Sequence, residues 1–270
     1  MKLFEIRQQQ KQKFLENGID QADLDFIIAE VLGIKRTEIL LVDEITEEQA
    51  EQIISACDKR IEFVPVEKIF HKSYFFGLEF CVDDNVLSPR PETELLVETA
   101  VEYIKQNNYK SVLDLCTGSG CIAVSIKKNV DVDMTASDIS SKALNIAKKN
   151  AQNNNVEIDF VKSDMFEKIE GKFDLVVSNP PYIDSQEVKT LDREVVEHDP
   201  KLALDGGEYG LKYYNIIHEN IKKHLNDSGM LILEIGDDQK DLITALYNDL
   251  NFVECKKDYS GNDRIMVFKK

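Results

Sequence analysis

The stretch SNPPYI, Ser178 to Ile183, follows an apolar run, FDLVVS, with two consecutive prolines. Neither Pro180 nor Pro181 has a backbone N–H, and each confines the residue before it to extended conformations. Such a segment cannot prolong a strand ladder, and it leaves carbonyl oxygens without neighbouring donors. Asn179 adds a side-chain carbonyl, and Tyr182 an aromatic wall. The Asn179 and Pro180 oxygens are two acceptors able to grip an NH2 group and orient its lone pair. An amide or aromatic amine is a poor nucleophile because its lone pair is delocalised. Transfer to it therefore depends on alignment and on stabilising the positive charge that develops. No strong base is needed before attack, since the proton can leave afterwards. The plainer alternative is a stiff loop that only ends a strand.

Three further strand ends carry polar groups. DLCTGSGC, Asp114 to Cys121, runs from a strand into a helix; Gly118 and Gly120 permit a tight turn and close approach to a ligand. It lacks the third glycine of a dinucleotide fingerprint. Asp138 closes the next strand in MTASDIS, 20 residues beyond Gly118, where an open sheet binds ribose; the alternative is a helix cap, which Ser140 could equally supply. Asp164 and Met165 in VKSDMF could meet an adenine amino group and ring face. Glycines, an acid and a second acid suggest an adenosine without a phosphate. S-adenosylmethionine fits, and its sulfonium cation suits an acidic protein.

Lys and Arg number 33 against 50 Asp and Glu, a formal charge of -17. Such a surface repels a phosphate backbone, and no basic patch is evident, so direct nucleic-acid binding is not expected. Cys57, Cys81, Cys116, Cys121 and Cys255 are scattered, odd in number and free of CxxC pairs. They read as reduced thiols of a cytoplasmic protein without a metal site. The N-terminus has no apolar leader and no run approaches membrane-spanning length; a monomer without membrane association is expected.

These residues must be held by particular elements. Up to about residue 64 apolar positions recur at helical spacing, as in Leu24, Ile27, Ile28, Val31 and Leu32, and Thr46 with Gln49 forms a capping box. KSYFFGLEFCVDD changes period and predicts a hairpin over 72–83. From Pro91, placed at a first helical turn, strands alternate with helices, near 110–115, 132–137, 157–161, 173–178, 229–235, 252–257 and 264–269. The last two are expected to pair antiparallel at or near an edge. This pattern predicts an α/β, doubly wound sheet with ligands at the carboxyl ends of its strands.

DLCTGSG, SNPPYI, PRPETE, LALDGGEYGL and LEIGDDQ together resemble the release factor glutamine methyltransferases (the HemK-like family) over essentially the whole chain. NPPY alone is shared with adenine-N(6) DNA methyltransferases; PRPETE and DGGEYGL are narrower. The resemblance implies a helical domain over 1–70 that binds release factors, a β-hairpin linker over 71–84, and a class I S-adenosylmethionine-dependent methyltransferase domain over 85–270. It implies methylation of the side-chain amide of the glutamine in the GGQ loop of bacterial or organellar peptide chain release factors, yielding S-adenosylhomocysteine. Implied cofactor contacts are Cys116, Thr117, Gly118, Ser119, Gly120, Asp138, Met165 and Asn179. Implied catalytic residues are Asn179, Pro180 and Tyr182, with Asn179, Pro180, Pro181 and Tyr182 holding the glutamine. Arg90 is expected to help hold the release-factor loop or the NPPY loop, with Glu92 and Glu94 suiting a helix N-terminus; a surface arginine beside capping acids is the alternative. The sequence departs from the family pattern at Cys116 and His71, usually Gly, at Phe70, usually Tyr, and at Met165, often aromatic.

The rival activities are glutamine methylation of a ribosomal protein, against which PRPETE speaks, and adenine-N(6) methylation of nucleic acid, which the charge disfavours. A non-catalytic module with a relic cofactor pocket is a third, opposed by Asn179 and Asp138. His198 is expected to be a solvated loop histidine, because the chemistry requires no base.

Overall fold

Apolar spacing in the first 70 residues yields four helices: α1 (Leu3–Glu16), α2 (Gln21–Leu32), α3 (Glu47–Ile61) and the short α4 (Val66–Phe70). The computed structural model describes the chain from Met1 to Lys270. Asp20 caps α2 by accepting from the Ala22 amide, and Gly33, at φ 65°, ends it. Thr46 and Gln49 form the reciprocal capping box of α3. Leu3, Phe14, Leu24, Ile27, Ile28 and Ile53 are buried together. The first of two compact units comprises Met1–Lys72 together with Asp192–His198, and the second is the remainder. Asp192–His198 thus departs from the 85–270 span that the sequence predicts for the second domain. It contains a short helix, α8 (Arg193–His198), and brings Glu194 within 2.8 Å of Arg60, which also binds Asp23 at 2.7 Å.

The second unit begins at Ser73, inside the hairpin of β1 (Lys72–Phe75) and β2 (Leu78–Cys81). The hairpin puts Phe75 and Phe80 edge to face in the core. Its Cys81 amide and carbonyl are bonded to Asn150. After a 3-10 turn at Pro91–Thr93, α5 (Glu94–Asn107) precedes β3 (Ser111–Leu115), α6 (Cys121–Asn129), β4 (Asp133–Asp138), α7 (Ser141–Asn153), β5 (Asp159–Lys162) and β6 (Phe173–Ser178). Beyond α8 follow α9 (Lys212–His224), β7 (Leu225–Glu234), α10 (Lys240–Leu246), β8 (Asn251–Lys257) and β9 (Asp263–Lys269).

The seven-stranded sheet runs β5-β4-β3-β6-β7-β9-β8, with β9 antiparallel to both its neighbours. Val112, Leu113, Leu175, Val176, Val177 and Leu231 are wholly buried, as expected of parallel strands covered on both faces. The order reverses between β3 and β6, which places the crevice of this open sheet above their ends.

Candidate active site

Register puts the chemistry in one row. Leu115, which ends β3, pairs with Ser137 on one side and Ser178 on the other, and Ser178 pairs with Leu233 of β7. The residues that follow, Cys116, Asp138, Asn179 and Glu234, therefore emerge side by side at the switch point. The Ser178 hydroxyl donates to the Leu115 carbonyl at 2.6 Å and ties the two central strand ends together.

Above β3 the chain turns tightly. The Gly118 amide donates to Asp138 Oδ2 at 2.9 Å, and the Ser140 amide to Asp138 Oδ1 at 2.8 Å. Ser140, and not Asp138, caps α7, accepting from Ala143. Gly118 is left-handed with open space where a side chain would project, whereas a Cβ on Gly120 would stand 2.9 Å from that of Ala147. Asp114 lies beneath the turn, wholly buried, accepting from the Thr117 hydroxyl at 2.6 Å and the Ala123 amide at 3.2 Å through Oδ2. Its Oδ1 has no partner. Burial pushes its carboxyl up to about 7 despite those two donors; burial likewise raises Asp138, against its backbone donors. Cys116 adopts φ 65°, the left-handed region that a glycine enters without strain, and its Sγ lies 3.7 Å from Met165 Sδ. Met165 is buried beside it, and Asp164 is exposed.

The NPPY loop is clamped from outside. Gln239 Nε2 donates to the Tyr182 carbonyl at 2.9 Å, and the Ile183 carbonyl accepts from Gly206 at 2.8 Å. Ile183 in turn donates to Leu204, and Ser185 to Gly207. A Cβ on Gly206 would approach the Pro181 carbonyl to 2.7 Å, and one on Gly210 would overlap the Tyr182 carbonyl. The glycines of DGGEYGL are thus a saddle for this loop. None of these bonds consumes the Pro180 carbonyl. Pro180 and Pro181 are buried, and Asn179 and Tyr182 half-buried; burial, then the Glu234 charge, raises the Tyr182 phenol well above its ordinary range.

Asn179 Nδ2 donates to the Thr93 hydroxyl at 3.2 Å. Both face the carboxyl of Glu234, which is buried at the end of β7 and is pushed by that burial up to about 7. Sequence reasoning gave Thr93 and Glu234 no role. The available signal was an acid closing an apolar strand, GMLILEI, beside one that ends in Asn. Arg90 pairs with Asp199, Nη2 to Oδ2 at 2.7 Å, at the start of the chain that leads into DGGEYGL. Glu94 stands in the first turn of α5, as expected, and also accepts from the Phe76 amide at 2.7 Å, which ties the hairpin to that helix. His198 is half-buried with Nε2 enclosed and unpartnered, contrary to the solvated side chain expected. It closes α8, which is folded onto the first unit and not left in a free loop.

The residues present fit S-adenosylmethionine. The open left-handed turn at Gly118 admits a ligand against backbone, Asp138 offers acceptors at the ribose position, and the unpartnered Asp114 Oδ1 offers a buried acceptor under the turn.

Two family models match the chain: the PrmC N-terminal domain over residues 5–70 and the Methyltransferase small domain over residues 89–211. A release factor glutamine methyltransferase of Agrobacterium fabrum is 38% identical over 92% of this chain and 90% of its own length. One from Thermodesulfovibrio yellowstonii is 40% identical over 90% of each. A methyltransferase structure from Pyrococcus furiosus, 19% identical, superposes with a TM-score of 0.56 over 79% of this chain and 98% of that one, which speaks to fold alone. Identity of this extent, spanning the helical unit and the sheet alike, makes the chain a member of the release factor glutamine methyltransferase family, with a class I methyltransferase fold.

Proposed function

We infer that the protein methylates the side-chain amide nitrogen of a glutamine in peptide chain release factors, the one in the GGQ loop, and releases S-adenosylhomocysteine. The observation that carries this reading is Asn179 at the switch point. Its NH2 is engaged by Thr93, which leaves its carbonyl oxygen free of that bond, on the residue that follows β6 at the crevice.

When bound, S-adenosylmethionine supplies a methyl group made electrophilic by its sulfonium. Asp138 and the turn Cys116 to Gly120 hold the adenosine and amino-acid ends, with Met165 packing near the base. The Asn179 and Pro180 oxygens accept hydrogen bonds from the two N–H groups of the glutamine NH2, so its lone pair points at the cradle, the charge that forms on nitrogen meets two acceptors, and one proton then leaves to solvent. Pro181 stiffens the loop and the Tyr182 ring walls it. Arg90, bonded to Asp199, supports the release-factor loop. The helical unit binds the release factor body, and the protein acts in the cytoplasm as a monomer. The charge of -17 favours a protein substrate over nucleic acid.

The test is incubation with labelled S-adenosylmethionine, a release factor, and the same factor with the loop glutamine replaced. Label on the first alone is expected; equal labelling of both, or of neither, overturns the assignment.

A further inference from the structure

We propose that Thr93 and Glu234 are positioning residues that fix which end of the Asn179 amide faces the reacting nitrogen, an inference that rests on the functional reading above. Asparagine is nearly symmetric in shape but not in chemistry: turned by 180° it would present donors where the glutamine NH2 needs an acceptor. Something must hold the correct end outward, and the sheet supplies it. Asn179 Nδ2 lies 3.2 Å from the Thr93 hydroxyl, and that hydroxyl lies beside the Glu234 carboxyl, 2% exposed with Oε2 unpartnered.

Polarity runs through this chain in one direction. An ionised carboxylate only accepts, so the Thr93 hydroxyl donates to Glu234. Its lone pairs then face Asn179, which must turn its NH2 inward and its carbonyl outward. A protonated Glu234 can donate, which frees the hydroxyl to donate to Asn179 and admits the inverted amide. Glu234 is faced by Thr93 and by the Asn179 NH2 itself, both favouring its charge, by Arg264 of β9, which also favours it, by Glu92 of the 3-10 turn, which opposes it, and by Tyr182, Tyr214 of α9 and Cys121 of α6. Burial is the dominant influence and sets the change of state near neutral pH.

Near-isosteric variants test the device. Thr93→Val and Glu234→Gln keep shape while breaking polarity. Each is expected to lower kcat about tenfold to a hundredfold with little change in cofactor affinity, the size of one misdirected buried hydrogen bond. Thr93→Ser restores most of the rate, and the rise of kcat with pH through about 7 in the wild type is absent in Glu234→Gln. Wild-type kcat and pH profile in both variants would overturn the proposal. A second readout needs no turnover: the Asn179 side-chain 15N–H2 resonances, assigned by their loss in Asn179→Asp, shift with pH near 7 in the wild type and not in Glu234→Gln. If the wild type methylates no release factor but these resonances titrate as stated, the network stands and the functional reading falls. If it methylates and they do not titrate, the network falls alone.

Discussion

The side-chain amide of Gln239 donates to the carbonyl oxygen of Tyr182 at 2.9 Å and to that of Tyr209 at 3.2 Å, joining the NPPY loop to the tip of DGGEYGL. Gly210 sits in the same contact, at φ 67°, with no room for a Cβ. Gly210→Ala is expected to displace the Tyr182 carbonyl and lower kcat more than about a hundredfold; Gln239→Ala deletes these two bonds, worth about 1 kcal/mol each, and the one Gln239 Oε1 accepts from the Gly236 amide, and should lower kcat roughly thirtyfold. Cofactor affinity by calorimetry stays within about threefold, because the clamp does not touch the Gly118 turn. A large loss of cofactor binding in either variant would contradict the separation.

Asn179→Ala removes one of the two acceptors proposed for the glutamine NH2. The loss should resemble deletion of one oxyanion-hole contact, about 100-fold to 1,000-fold in kcat, with calorimetric cofactor binding largely retained. Near wild-type turnover would remove Asn179 from the mechanism.

Asp138 accepts from Gly118 and Ser140 and is the acceptor proposed for the ribose. Asp138→Ala therefore loosens the turn and deletes the proposed acceptor at once. Each charged hydrogen bond contributes about 1.5–3 kcal/mol, so the Kd for S-adenosylmethionine should rise on the order of 100-fold. Circular dichroism should show the fold intact.

Burial pushes the Asp114 carboxyl up to about 7 in the folded protein, from an ordinary value of 3.8. Between those values the native state holds the proton that the unfolded state has lost, so stability falls as pH rises through that window, and the cost is fully present above it. Asp114→Asn, free of cofactor, should gain in Tm relative to wild type at pH 8 and not at pH 4. An equal difference at both would place the effect elsewhere.

Much of the site was legible because it lies where strands stop. Apolar runs ending in Asp138 and Asn179 located strand ends to within a residue, and the glycines between Asp114 and Cys121 marked the first crossover. What escaped depends on contacts between distant segments. Thr93 meets Asn179 across 86 residues of chain, and no local pattern announces such a pair. His71, at φ 54°, and Cys116, at φ 65°, lie in the left-handed region that a glycine enters without strain. The backbone keeps the left-handed conformation at both, which costs roughly 1 kcal/mol or more at each and is imposed by the structure around it. The return of Asp192–His198 to the helical unit was equally hidden, since six helical residues inside a long connection look like a surface turn.

That return alters what it means to call the first 72 residues a domain. The polypeptide passes between the two units at three places, after Lys72, after Leu191 and after His198. No single proteolytic cut can separate them, and a fragment ending at Lys72 leaves behind the Glu194 carboxylate that binds Arg60 and the Arg193 guanidinium stacked 5.0 Å from the Phe63 ring centre. The helical unit is completed by a segment encoded more than a hundred residues later, so an evolutionary exchange of one unit must also graft the other's excursion.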